Sequence, residues 1–376
     1  MDNRPINYFQ AITIKTFSFV LIFEAFMKSL FGIIVMKKKI LVTGGAGYIG
    51  SHTCVALQEQ GCEVIIVDNL SNSNKKVVDR IKMITGQAPL FYKVDVCNKN
   101  GLADVFKKHP GIFGVIHFAA LKAVGESTRV PLLYYHNNIS GLTTLLQAME
   151  KYGCANLVFS SSATVYGQPD NLPVSEDAPL QKAASPYGNT KRISEEIISD
   201  QVACGKLNAV SLRYFNPIGA HPSALIGELP LGVPNNLVPF LTQTVAGKRP
   251  EVKVFGNDYN TPDGTGVRDY IHVVDLAEAH VSALSYLENG LTDENPAIFN
   301  LGTGNGYSVL EIIKTFEKVN GLKVSYTVVD RRPGDVDKVW ADCQKANIVL
   351  GWKARLGIDD MLKSAWEWEK TLAVKN

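Results

Sequence analysis

The sequence predicts a doubly wound α/β fold: a parallel sheet with helices on both faces, followed by a smaller C-terminal α/β lobe. Three observations predict it. From Lys38 the chain reads as strand, glycine turn, helix and strand, in "KILVTG", "GAGYIG", "SHTCVALQEQG" and "EVIIVDN". Short β-branched runs then alternate with longer helical stretches, the rhythm of a parallel sheet with helical crossovers. After Pro217 the texture shifts toward proline, glycine and asparagine, as in "GELPLGVPNNLVPF" (227–240) and "GNDYNTPDGTGVRDY" (256–270).

The elements follow in order. "KILVTG" and "EVIIVDN" read as the first two strands, on either side of the glycine turn and its helix. "LFYKVDV" (90–96), "GVIHFAA" (114–120), "NLVFSSSATVYG" (156–167) and "NAVSLRYFN" (208–216) read as further strands. Each ends in small or polar residues, where such sheets place ligands. "NNISGLTTLLQAMEKYG" (137–153) and "YGNTKRISEEIISDQVACG" (187–205) read as long helices with apolar stripes for the sheet. Their outer faces could pair with a second subunit. The domain boundary is expected near residue 216, giving a nucleotide-binding unit over 36–216 and a substrate lobe over 217–376. No internal repeat is visible.

Residues 1–35 differ from the rest. "FSFVLIFEAFMKSLFGIIV" (17–35) approaches the composition of a membrane anchor, but Glu24 and Lys28 interrupt it. A confident span needs roughly 20 largely uncharged residues. Met36 directly precedes "KKKILVTGG", so the folded protein is expected to begin there, with the upstream segment an extension.

Composition narrows the partners. The 376 residues carry 38 Lys and Arg against 36 Asp and Glu, with no basic block beyond "KKK" at 37–39. A nucleic-acid footprint is therefore not visible, and a small molecule is the expected partner. Cys54, Cys62, Cys97, Cys154, Cys204 and Cys343 are scattered, with no Cys-x-x-Cys pair and no cluster at zinc-ligand spacing. That suits a reducing cytoplasm and gives no metal site.

Two motifs carry chemistry. "GAGYIG" fits Gly-x-Gly-x-x-Gly at Gly45, Gly47 and Gly50, after an expected strand and opening an expected helix. Such glycines permit close backbone approach to a pyrophosphate at a helix N-terminus. Asp68, at the end of the second strand, suits ribose hydroxyls and would repel a 2′-phosphate, which favours NAD over NADP. Asp95, at the end of the third, could reach an adenine or merely cap its strand. "HFAALK" (117–122) and Asn137 or Asn138 would border the nicotinamide. The second motif is "SPYGNTK" (185–191), which sets Tyr187 and Lys191 four apart, on one face of a helix. They are a candidate base beside an ammonium, or core filler with a satisfied hydroxyl.

These stretches, with "TGGAGYIGSH" (43–52), "HFAALKAVGES" (117–127), "SSSATVYG" (160–167), "LRYFNPIGAH" (212–221), "PNNLVPF" (234–240), "FGNDYNTPDGTGVRDYIHVVDLA" (255–277), "NLGTG" (300–304) and "RRPGDV" (331–336), resemble the UDP-glucose 4-epimerases of the extended short-chain dehydrogenase/reductase superfamily. The resemblance runs from about Lys37 almost to the C-terminus. It implies a Rossmann-type nucleotide domain, a homodimer and a catalytic set of Ser162, Tyr187 and Lys191. It also implies an NAD site from Gly44, Gly45, Gly47, Tyr48, Ile49, Gly50, Asp68, Asn69, Asn72, Ser73, Asp95, Val96, Phe118, Ala119, Ala120, Lys122, Asn137, Tyr187, Lys191 and Phe215. The UDP-sugar would meet Ser162, Tyr187, Asn216, Asn236, Leu237, Phe255, Arg268, Arg332 and Asp335.

The implied reaction oxidises C4 of the hexose, lets the keto sugar turn over, and reduces its opposite face without net redox. A free phenol ionises near pH 10, so Tyr187 must be lowered by roughly two to three units, with Lys191 and the cationic NAD ring expected to supply the effect. Related dehydratases place an acidic pair just after the catalytic serine or threonine, whereas Ala163 and Thr164 stand here. Three departures stand out: Ala120 where many relatives have glycine, Leu229 and Leu231 in place of polar loop residues, and Val339. At Val339 the family varies between tyrosine and smaller side chains, a difference associated with rejecting or admitting N-acetylated sugars, and valine leaves room.

Overall fold

The computed structural model describes residues 37–290, 294–332 and 335–373, so the apolar stretch 17–35 lies outside the described residues. From Lys38 onward the chain forms one compact unit. Its centre is β1 (Lys39–Thr43), paired in parallel with β2 (Glu63–Val67) on one side and β4 (Ile112–His117) on the other. β3 (Leu90–Tyr92), β5 (Asn156–Ser160), β6 (Asn208–Tyr214) and β10 (Ala297–Leu301) complete a seven-stranded parallel sheet of order β10-β6-β5-β4-β1-β2-β3. The chain leaves β1 in one direction through β2 and β3, then crosses to β4 and continues the other way. The crevice between the ends of β1 and β4 is therefore the switch point where such sheets accept ligands.

Strand alternation fills both faces. Ile40, Val42, Val64, Ile66, Ile116 and Val158 point to one side, onto α1 (Tyr48–Glu59) and α9 (Val273–Glu288). Leu41, Ile65, Val67, Val115, Leu157 and Phe159 point to the other, where α3 (Lys99–Lys108), α6 (Gly141–Lys151) and α7 (Pro186–Ala203) cover them. Burial on both sides is why these strands read as continuous apolar runs. α2 (Lys76–Thr85) packs beside α1.

Three expected elements are shorter than their apolar patterns. β3 stops at Tyr92 rather than at 96, because Asp95 accepts the Cys97 amide (2.8 Å) and opens a turn that leads to Asn98, the cap of α3. Asp95 thus sits in a turn after the strand, not at its end. β5 stops at Ser160, and "ATVY" forms a 3₁₀ turn over Ala163–Tyr166 with Ser162 as its cap. The helix expected over 137–153 opens as a π-turn at His136–Ser140, preceded by the short helices α4 (Val124–Arg129) and α5 (Pro131–Tyr135).

A smaller layer carries β9 (Val267–His272) between β11 (Gly306–Ser308) and β13 (Lys338–Val339), with β7 (Asn216–Ile218) also paired to β9. β8 (Val252–Phe255) and β12 (Tyr326–Val329) pair separately. α8 (Leu237–Val245), α10 (Val309–Asn320) and α12 (Ile358–Ala373) share an apolar core around Leu241, Phe316 and Leu362. α10 starts at a capping box, Ser308 with Glu311. α11 (Gln344–Val349) packs on β10. The chain therefore returns to the large sheet through α9 and β10 after leaving it at residue 216. No helix among the described residues is long and apolar enough to cross a membrane.

The core holds histidines that burial keeps neutral. Desolvation pushes His52 and His117 down to about 3 and His272 and His280 to about 4. In the unfolded chain each would titrate near 6.5, so unfolding takes up protons as the pH falls below that value. The contribution of these groups to stability is thus complete above about pH 6.5 and lost progressively as the pH falls toward about 3. Urea midpoints should fall steadily from pH 7 to pH 5; a constant midpoint would contradict the buried neutral set.

Candidate active site

The glycine turn after β1 is shaped by close approach. Gly44 has φ +70°, and a Cβ on it would lie 2.8 Å from the Ala119 amide nitrogen. A Cβ on Gly50 would lie 2.3 Å from the Gly44 carbonyl oxygen. Gly47 caps α1 with no side chain, and the first turn has no acidic residue. The positive end of this helix thus faces the crevice without an internal anion, an arrangement that fits a pyrophosphate.

Asp68 is buried directly after β2. Its carboxylate accepts the Ala46 amide (3.1 Å), the Leu70 amide (2.8 Å) and the Ser73 hydroxyl (2.8 Å), so it braces the glycine turn from below. Asn69 donates to Asp95 (2.8 Å), and Asn72 is exposed beside them. Of the other expected cofactor contacts, Val96 and Phe215 are buried, Ile49 is packed on the core, and the Phe118 ring lies 4.7 Å from that of His280. Ala119 and Ala120 are half-buried at the end of β4. Tyr48 donates to the Gly219 carbonyl (2.7 Å), and Lys122 pairs with Glu228 (3.4 Å), so both reach the segment beyond Pro217.

Asn137 and Asn138 differ in their hydrogen bonds. Asn138 is buried, accepts the Leu121 amide (2.9 Å), and donates to the Leu121 carbonyl (3.0 Å) and the Thr190 hydroxyl (3.0 Å). It clamps the 118–122 loop to α7. Asn137 is half-buried and donates to the Asn138 side-chain oxygen (2.9 Å).

α7 carries the candidate base. Ser185 caps it through the Gly188 amide (3.2 Å), and Pro186 takes the first turn. Tyr187 and Lys191 follow on one face. The Lys191 ammonium is buried, donates to the Ser160 carbonyl (2.5 Å), and sits 4.9 Å from the Phe159 ring centre and 6.0 Å from that of Tyr187. Desolvation lowers it to about 7, against the supporting charge of Glu195. Burial of the Tyr187 hydroxyl pushes the phenol up to about 12, opposed by a hydrogen bond with Ser162. Lys191 alone therefore does not produce the lowering expected from the sequence, because its ammonium is turned onto the Ser160 carbonyl. Ser162 also accepts the Thr164 hydroxyl (3.0 Å).

On the second layer, Arg268 on β9 is half-buried, and Asp335 supports its charge against desolvation. Arg332 pairs with Asp335 (2.8 Å), and its guanidinium lies 5.7 Å from the Phe255 ring centre. Phe255 is 42% exposed and hence not core. Asp269 is not the partner of Arg268: it points to the opposite face and accepts the amides of Thr303 (2.9 Å), Gly304 (3.0 Å) and Ala341 (3.1 Å). Asn216 lies opposite Tyr270 in register, whereas Asn236 donates to Glu228 (3.0 Å), just ahead of Leu237 at the start of α8. Phe255, Arg268, Arg332 and Asp335 thus come together, while Asn236 is held on the Lys122 side. Leu229 and Leu231 are exposed in the loop before it. Sequence reasoning missed Glu195, Arg213 and Asp269. The spacing Tyr187, Lys191, Glu195 was the available signal for the first.

Comparison with known proteins gives one consistent grouping. A profile described as GDP-mannose 4,6 dehydratase matches residues 41–365. A UDP-glucose 4-epimerase of Bacillus subtilis is 54% identical over 333 residues, covering 88% of this chain and 97% of that protein. The crystal structure of a UDP-glucose 4-epimerase from Stenotrophomonas maltophila, with bound NAD and formylated UDP-arabinopyranose, superposes with a TM-score of 0.87 at 51% identity, over 90% of this chain and 100% of that one. One from Bifidobacterium longum, in complex with NAD+ and UDP, gives 0.85 at 47% identity, over 89% and 98%.

The Asn138 clamp can be tested separately. Asn138→Ala leaves the Leu121 carbonyl and the Thr190 hydroxyl buried without their donor, which should cost about 1–3 kcal/mol. Urea denaturation reads this, and a loss under about 0.5 kcal/mol would show that the loop is held otherwise.

Proposed function

This chain belongs to the UDP-glucose 4-epimerase family, and from that premise we propose that it interconverts UDP-galactose and UDP-glucose reversibly at C4, with tightly held NAD. The observation that carries the reading is the meeting of Ser162, Tyr187 and Lys191 at the end of β5, beside the crevice between β1 and β4. Gly44, Gly45, Gly47, Gly50 and the N-terminus of α1 would hold the pyrophosphate, and Asp68 would face the adenosine ribose. When bound, NAD supplies a hydride acceptor and donor for the sugar carbon and a positive charge that lowers the neighbouring phenol.

Tyr187 takes the C4 hydroxyl proton as the C–H bond breaks and returns it to the opposite epimer. Ser162 hydrogen-bonds the same oxygen and keeps it aligned with the phenol. Lys191 holds a cation behind the phenol and favours its ionised form. Arg268 and Arg332 would clamp the diphosphate, Phe255 would pack on the uracil, and Asn216 and Asn236 would donate to the phosphates. Holding only the nucleotide end leaves the keto sugar free to present either face. Elimination of the dehydratase kind finds no support, since Ala163 and Thr164 follow Ser162 and carry no carboxylate.

Several finer points belong to the same reading. The domain boundary is proposed near residue 216. A homodimer is proposed across the α4–α7 side, where Leu132 and Leu133 stand exposed on α5. A cytoplasmic location accords with six unpaired cysteines. Half-buried Val339 leaves room for an acetamido group, so UDP-GlcNAc and UDP-GalNAc are further proposed substrates.

Incubation of the purified protein with UDP-galactose and no added NAD should yield UDP-glucose; a folded, nucleotide-loaded protein that yields none would overturn the assignment. Tyr187→Phe should lower kcat by about 10²–10⁴-fold while UDP affinity is unchanged, and full activity would remove Tyr187 as the base. Val339→Tyr should abolish turnover of the acetamido sugars and spare UDP-glucose, whereas a wild-type protein inert on both acetamido sugars would end that extension alone.

A further inference from the structure

Beneath Ser162, Tyr187 and Lys191 lies a layer of buried polar side chains that the chemistry above does not use. Glu195, one turn beyond Lys191 on α7, is buried, as is Arg213 on β6. Arg213 meets it with both arms of its fork, Nε to Oε1 at 3.0 Å and Nη2 to Oε2 at 2.7 Å. The Ser161 hydroxyl donates to the same Oε1. The other guanidinium nitrogen, Nη1, donates to the Tyr166 hydroxyl (3.0 Å) and the Glu176 carbonyl (3.3 Å). Tyr166 in turn donates to Asn300 Oδ1 (2.7 Å).

Both flanks of Ser162 are therefore tied to one ion pair. Ser161, immediately before it, is held by Glu195, and Tyr166, which ends the 3₁₀ turn after it, is held by Arg213. Burying two charges is costly, and apolar residues of the same volume would often hold a core as well. The position of the pair under the serine argues for geometry rather than bulk stability. Resting on the epimerase reading, we propose that Glu195 and Arg213 are positioning residues that fix the Ser161–Tyr166 segment, and so the Ser162 hydroxyl, at Tyr187, while the Glu195 carboxylate, one turn from Lys191 on α7, favours the charged form of its ammonium.

The groups facing Lys191 bear this out. Tyr187 and Glu195 face it from α7, the Ser160 carbonyl and Phe159 ring from β5, and His117 from β4; Tyr214, bonded to Ser160, and Arg213 stand on β6. Glu195 is the carboxylate in this set. Its charge opposes the desolvation that brings Lys191 to about 7. Neutralising Glu195 moves Lys191 further down, so the fraction charged near neutrality falls.

The test compares kcat against pH for the nucleotide-loaded wild type, Glu195→Gln, Glu195→Asp and Ser161→Ala. In Glu195→Gln the alkaline limb of kcat should move down by about one unit, with UDP affinity unchanged. Glu195→Asp keeps the charge and should restore the limb even where kcat stays low. Ser161→Ala leaves the ion pair intact and should lower kcat about tenfold with KM and the limb unchanged. If Glu195→Gln does not fold, the other two variants decide. Wild-type kcat in Ser161→Ala, or an unmoved limb in a folded Glu195→Gln, would overturn the proposal. Absence of conversion by the wild type would instead fail the epimerase reading itself.

Discussion

A lysine ammonium buried at the carboxyl end of a parallel sheet is the interaction on which this site depends. Lys191 has given up water for the Ser160 carbonyl, the face of Phe159 and the nearby charge of Glu195. An ammonium so placed is poised near neutrality and responds to any charge brought beside it. Tyr187, one turn earlier, is desolvated in the opposite sense, since burial works against its anion. Burial thus holds back the charged form of each residue, and a cation brought beside the phenol works in the opposite sense. A phenol that ionises only in the loaded site does not act on water or on stray alcohols.

The sheet makes this arrangement affordable in conformational terms. The strands beneath the site are anchored by residues buried on two faces, from Leu41 and Val42 in β1 to Leu157 and Val158 in β5, and α7 packs its inner face on them. Glycine permits the backbone to close around the crevice, most severely at Gly44 and Gly50, where any side chain would meet backbone atoms. The second layer is joined to the sheet by apolar packing, with Ile226 and Ile271 in the same cluster as Val42 and Ile66, and by polar links, Tyr48 to Gly219 and Lys122 to Glu228.

Much of this was legible in the chain. The strand–glycine–helix rhythm located β1, α1 and β2, because period and punctuation act locally there. Tyr187 and Lys191 were legible as an i, i+4 pair, although their roles needed the family resemblance. What sequence could not supply was the outcome of competition among polar groups. Asp95 reads as a strand end, yet its carboxylate finds the Cys97 amide and turns the chain early. Arg268 and Asp269 are adjacent in sequence, yet strand alternation sends them to opposite faces. Glu195 and Arg213, 18 positions apart, meet only because α7 packs beneath β6. The clamp made by Asn138 likewise depends on a partner 52 residues away.

The most direct test of the central claim is a spectrophotometric pH titration of tyrosine ionisation in the nucleotide-loaded protein, taken as the difference between wild type and Tyr187→Phe. The account predicts one phenolate forming well below pH 10, and its loss in the variant. A Tyr187 that stays protonated to pH 10 or above in the loaded protein would contradict it.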